Sequence, residues 1–138
     1  MNKLIMDLDN TIAGPKSESY ADCQPNHPVI AQMKAYKDMG FEIAIHTARN
    51  MRTYGGNVGR INVMTLPVIT EWLDRHGVPY DEIWVGKPWC GPEGFYVDDR
   101  ALRPDEFATM TPEQIKHLLF GPVSGSEDCP GDAEDTAP

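Results

Sequence analysis

The chain has 138 residues and a formal net charge of −9, with 24% charged and 41% hydrophobic residues. A chain of this length supports one modest core, and its acidic balance speaks against nucleic acid as a main partner. No apolar run approaches a membrane span, and only three apolar residues separate Lys3 from Asp7, too few for a secretory signal. The sequence therefore leads us to expect a cytoplasmic protein that uses neither nucleic acid nor membrane.

The first predicted element is a strand over Lys3–Asp7, which delivers two carboxylates, Asp7 and Asp9, at its tip. Residues 12–26 are rich in turn formers (Gly14, Pro15, Ser17, Ser19, Pro25, Asn26) and read as loop. A helix is predicted over Pro28–Met39, with Pro28 in the first turn, Val29, Ile30, Met33 and Tyr36 at helical spacing, and Gly40 as the stop. A second strand, Phe41–His46, runs into "TARN". After a polar loop with three glycines, a helix is predicted over Ile61–His76, broken into two near Leu66 by Pro67. Trp72 and Leu73 read as its buried face. A third strand is expected at Glu82–Val85 and a fourth at Phe95–Val97. In the last helix Thr111 caps, Pro112 takes the first position and Gln114 completes a capping box, with Gly121 as the end.

Residues 121–138 hold five acids and no base, with abundant Gly, Pro and Ser, which leaves −4 of the net charge for residues 1–120. Such a segment cannot bury enough surface to offset its ordering entropy. We expect residues 1–120 to form the folded core and 121–138 to be a disordered tail. The three cysteines, Cys23, Cys90 and Cys129, are scattered with no CxxC pair, so neither a disulfide framework nor a four-thiolate zinc site is indicated.

Strands alternating with helices predict an α/β, Rossmann-like fold with a mostly parallel sheet flanked by helices. Ligands of such sheets bind at the carboxyl ends of the strands. The four predicted strand ends carry, in order, Asp7-Leu8-Asp9, Thr47-Ala48-Arg49, Gly86-Lys87 and Asp98-Asp99. Singly, each is better explained as a cap, a turn or solvated surface. Together they suit phosphoryl transfer from a phosphate monoester. Carboxylates at Asp7 and Asp98 suit a hard, oxygen-loving ion such as Mg2+. One carboxylate can attack phosphorus while a neighbouring one handles the leaving-group proton. Thr47 and Lys87 can hold the non-reacting phosphate oxygens.

The segments "DLDNT", "IHTAR", "VGKPW" and "YVDDR" resemble motifs I to IV of the haloacid dehalogenase (HAD) superfamily, over about residues 1–108. "TARNMRTYGGNVGRIN", "LPVITEWLDRHGVPYDEIWVGKPWCG" and "GFYVDDRALRP" resemble its capsule-biosynthesis phosphatase subfamily. The resemblance implies a Mg2+-dependent phosphatase acting through an aspartyl-phosphate, with Asp7 as nucleophile and Asp9 as general acid/base. Thr47 and Lys87 would bind the phosphoryl group. Asp7, Asp98, Asp99 and the main-chain carbonyl of Asp9 would serve the metal, Asp99 directly or through water. The expected substrate is a sugar phosphate or similar small phosphorylated metabolite.

Two departures from the superfamily pattern stand out. Asn10 replaces the usual Gly of motif I, and Asn tolerates the left-handed turn better than most residues. Lys87 and Asp98 lie only eleven positions apart, whereas a parallel crossover needs about a dozen or more residues. Either the link is an unusual extended loop or the third strand is placed differently. Neither gap between motifs leaves room for a cap domain, so a capless core is expected. Selectivity then falls to loops or to a second subunit of a homo-oligomer covering the open site. The best loop candidates are Arg49 and Arg52, which can pair with anionic substrate groups through planar, bidentate hydrogen bonds. Trp89 is expected to anchor its loop by packing. Alternatives are a nucleotidase or polynucleotide 3′-phosphatase, a phosphoacceptor signalling domain, and a binding module without catalysis. The signalling domain would carry its acidic pair at the first strand rather than the last.

Overall fold

The computed structural model of the protein describes residues 1–121, so the expectation of a disordered tail falls, beyond Gly121, outside the described residues. Among these, three strands form one parallel sheet in the order β1-β2-β3: β1 is Lys3–Met6, β2 is Glu42–Thr47 and β3 is Glu82–Val85. The connections run through α1 (His27–Asp38) and then through α2 (Val58–Met64) and α3 (Leu66–Arg75). The result is an α/β fold with a parallel sheet flanked by helices and no cap. The sequence-predicted helix break at Leu66–Pro67 is present: Thr65 ends α2 and begins α3, and Pro67 sits in the first turn of α3.

Why these elements form follows from burial. In β2 the consecutive residues Ile43, Ala44 and Ile45 are all buried, so the central strand is covered on both faces. β1, at the edge, buries only Met6 fully. Helix α1 contributes Val29, Ile30, Met33 and Tyr36 to the core, and α3 contributes Ile69, Trp72 and Leu73. The Trp72 indole N–H donates to the Cys23 carbonyl at 2.9 Å, pinning the 12–26 loop to α3. That loop is closed at its neck, where the main chain of Gly14 donates to Gln24 and that of Asn26 to Ile12. It contains a single 3-10 turn, Tyr20–Asp22.

The described residues divide into two compact units, Met1–Tyr96 and the part from Val97 onward. The second unit holds two short helices. α4 is Pro104–Thr109 and buries Phe107; α5 is Pro112–Phe120 and buries Ile115. The capping box expected at Thr111 and Gln114 is formed, and Gly121 closes α5 with φ of 75°. α4 was not foreseen from the sequence. One expected element is absent: Phe95–Val97 is not a strand and joins no sheet. The residues have strand-like composition, but a strand requires a paired edge, and this segment has none.

Candidate active site

The site is built at the carboxyl edge of the sheet. β1 ends at Met6, and Leu8, buried to 1% exposure, plugs the chain back into the core immediately afterwards. Asp7 and Asp9, on either side of Leu8, are thereby left partly exposed. The Leu8 carbonyl accepts hydrogen bonds from the main chain of Thr11, Ile12 and Ala13. The turn this requires passes through Asn10 at φ of 63°, the left-handed geometry that Asn tolerates.

Each aspartate has a separate cation. The Lys87 ammonium lies 3.5 Å from Asp7 Oδ1, and the Thr11 hydroxyl donates to Asp7 Oδ2 at 2.9 Å. Arg49 holds Asp9 in a fork: one terminal nitrogen donates to Oδ1 at 2.7 Å and Nε to Oδ2 at 3.2 Å. The Arg49 side chain is only 1% exposed, and its guanidinium lies over the Tyr20 ring at 4.1 Å. Its other terminal nitrogen is buried without a hydrogen-bond partner among the described residues. A buried, planar guanidinium of this kind fixes where Asp9 points.

Thr47 ends β2 and is buried; its hydroxyl accepts from the Arg49 main-chain N–H at 3.1 Å. The next strand is tied to it, because the Lys87 N–H donates to the Thr47 carbonyl at 3.1 Å. Between β3 and Lys87 stands Gly86, at φ of +91°, where an added Cβ would come within 3.0 Å of Val58 Cγ2. Only glycine lets the chain turn here against α2 and aim Lys87 at Asp7. His46, one residue before Thr47, has its pKa lowered, first by burial and then by Lys87, with Asp7 opposing.

The structure thus brings together Asp7, Asp9, Thr47, Arg49 and Lys87 at three adjacent strand ends. Arg49, expected to face substrate, grips Asp9. Arg52 is exposed on the following loop, which is ordered by turns: Asn50, at φ of 63°, accepts from the Thr65 hydroxyl at 2.7 Å. Asp98 and Asp99 are exposed at the start of the second unit, where Asp98 Oδ1 accepts from the Arg100 N–H at 3.0 Å. Among the described residues no group of three or more His, Cys, Asp or Glu side chains is gathered as a metal site. Trp89 is 47% exposed rather than packed. Sequence reasoning missed Thr11 and Tyr20. Thr11 could have been found, since a hydroxyl four residues after Asp7 falls within one turn of chain. Tyr20 gave no local signal.

The fold and site define an α/β protein with a capless parallel sheet whose carboxyl edge carries two separately held aspartates. It belongs to the same family as a structural-genomics target protein from Vibrio cholerae. The two are 60% identical, the match covers 86% of this chain and 97% of that one, and the TM-score to its crystal structure is 0.85. A chain of the Pnkp1/Rnl/Hen1 complex is also similar, at 18% identity and a TM-score of 0.48, over 78% of this chain and 34% of that one. No family model and no curated protein matches the sequence.

Proposed function

We propose that the protein is a phosphomonoester hydrolase of the haloacid dehalogenase type. The observation that carries this reading is Asp7, at the tip of β1 and only partly exposed, with the Lys87 ammonium 3.5 Å from its carboxylate and Thr47 at the end of the neighbouring strand. A carboxylate so placed is a nucleophile with its oxyanion partner already in position.

In the first half-reaction an Asp7 oxygen forms a bond to phosphorus as the bond from phosphorus to the leaving oxygen breaks, giving an aspartyl-phosphate. Asp9 gives the proton to the leaving oxygen. In the second half-reaction water attacks phosphorus, Asp9 takes its proton, and the bond from phosphorus to Asp7 breaks. To carry that proton Asp9 must release one oxygen from the Arg49 fork, and the longer contact, from Nε at 3.2 Å, is the one that yields. Arg49 then keeps the other oxygen and the direction of the side chain. Lys87 and the Thr47 hydroxyl stabilise charge on the transferring group.

Mg2+ would be held by the Asp7 carboxylate and the main-chain carbonyl of Asp9, whose own carboxylate is occupied by Arg49, with Asp98 and Asp99 as the further carboxylates that the motif resemblance implies. When bound, it neutralises repulsion between a dianionic phosphate and the Asp7 carboxylate. An open, capless edge does not limit substrate size; the sugar phosphate or similar small metabolite, and a place in capsular polysaccharide biosynthesis, rest on the motif resemblance. A panel of sugar phosphates, polyol phosphates and nucleotides, assayed for phosphate release with and without Mg2+, tests this. Catalytic, Mg2+-dependent release that is fastest with a sugar phosphate is expected. Release fastest with nucleotides would replace the substrate class, and no release from any member would count against the reading.

A further inference from the structure

Two features left over from the site fit each other. The first is an open sheet edge. Among the described residues, β1 pairs with β2 on one side only. Its register with β2 and β3 puts Ile5, Ala44, His46 and Trp84 on one face of the sheet, where Ile5 is 63% and Trp84 59% exposed. An unpaired apolar edge strand is a template for another strand. The second is the run Phe95-Tyr96-Val97. It has the composition of a strand, belongs to no sheet, and its residues are 77%, 49% and 88% exposed.

The run cannot reach the open edge of its own sheet by an ordinary crossover. Nine residues, 86–94, connect it to β3, and extended they span at most about 30 Å. Passing from β3 beyond β2 and β1 is three strand spacings, about 14 Å, and entering a parallel strand at its start means retracing about 13 Å of strand. Clearing a packed layer on either face adds about 10 Å in each direction. The link also turns back on its own beginning. The Tyr96 hydroxyl donates to the Pro88 carbonyl, and the Tyr96 ring lies 4.4 Å from the Lys87 ammonium. A Cβ on Gly94 would come within 2.0 Å of the Cys90 carbonyl oxygen, so the coil tolerates no side chain there.

We propose that the protein is a strand-exchanged homodimer in which Phe95–Val97 of each copy pairs with the β1 edge of the other and brings Asp98 to the other copy's Asp7. The arrangement closes under two-fold symmetry, because each copy gives one strand and receives one. It covers both exposed features at once, and it gives the short link between Lys87 and Asp98 a purpose. The exchange itself rests on the open edge and the exposed run; the delivery of Asp98 to Asp7 rests also on the phosphatase reading.

The mass of the full chain in solution, by light scattering after gel filtration, tests the exchange without any assay of activity. The wild type should be a dimer. Val97→Pro removes a main-chain donor from an exposed position, and Phe95→Lys places a charge in the new pairing; both should give monomers with an unchanged circular-dichroism spectrum. Val63→Lys, at a 71% exposed apolar position on α2, should remain a dimer. A monomeric wild type, or dimers that survive both Val97→Pro and Phe95→Lys, would overturn the exchange. For the shared site, Asp7→Asn and Asp98→Asn chains carrying different affinity tags are co-expressed and purified through both tags. Each mixed dimer then contains one intact site of two, so about half the wild-type activity should return although each variant alone is inactive. Mixed dimers without activity, in a preparation whose wild type is active, would show that Asp98 serves its own chain and overturn the shared site. If the wild type itself releases no phosphate, the catalytic reading fails while the mass measurement still decides the exchange.

Discussion

At the scale of single residues the site works by separation. Asp7 and Asp9 are two positions apart, yet each meets its own cation: Lys87 from the end of β3 for the first, Arg49 from the end of β2 for the second. Leu8, anchored in the core between them, keeps the two carboxylates from exchanging partners. The cations differ in kind. Lys87 is a compact charge on a flexible stem, suited to the proposed phosphoryl contact, whereas Arg49 is a buried fork stacked on Tyr20 and holds one geometry. Replacing Lys87 by Ala should therefore cost about 1.5–3 kcal/mol of phosphate stabilisation, roughly ten- to more than a hundredfold in rate. Steady-state kinetics on the best substrate checks this, and wild-type rates in Lys87→Ala would show that another cation holds the phosphoryl group.

At the scale of elements, the turns do the aiming. Gly86 carries the chain from β3 to Lys87 at a backbone angle that side chains rarely adopt, against Val58 of α2. Gly86→Ala should cost about 1–2 kcal/mol from the left-handed backbone, with further loss as Val58 shifts. Because the displaced group is Lys87, activity should fall more than stability does; urea unfolding read beside kcat separates the two effects. Elements with local punctuation were legible in the sequence. The Thr111-Pro112-Gln114 start of α5 and the Pro67 break between α2 and α3 are set by the residues present at those positions. α4 was not legible, because six residues are too few for helical periodicity to show. Phe95–Val97 reads as a strand from composition alone, but pairing depends on an edge that the local sequence does not encode.

At the scale of the whole molecule, the order of the strands turns a string of weak motifs into one site. Asp7, Thr47 and Lys87 were legible because each lies at or within two residues of a strand's end, and parallel strands put their ends on the same edge. The Arg49–Asp9 pair was not, since the partners are 40 positions apart and meet only once β1 and β2 are side by side. Stability against acid is also distributed over the chain. His76, whose ring lies 4.5 Å from that of Trp72, and His46 both have pKa values lowered from 6.5, in each case chiefly by burial. The unfolded chain therefore takes up these protons first. The histidines' contribution to stability should be constant above about pH 6.5 and fall as pH drops through the lowered values of the folded state. Asp81, held down by the hydrogen bond from Lys37, and Glu82, held down by that from Lys3, are lowered from ordinary carboxylate values. Their contribution is present above those values and is lost in a second stage at lower pH. Urea midpoints measured across pH should show both stages, and the double variant His46→Gln/His76→Gln should flatten the first while leaving the second.

The proposed reaction stands on Asp7 as the nucleophile. The most direct measurement is intact-protein and peptide mass after rapid acid quench of the enzyme turning over its best substrate with Mg2+, for wild type and Asp7→Asn together. If Asp7 is the nucleophile, the wild-type chain carries phosphate on Asp7 that disappears as substrate is exhausted, and Asp7→Asn shows neither phosphate nor turnover. Phosphate on another residue, or turnover that persists in Asp7→Asn, would contradict it.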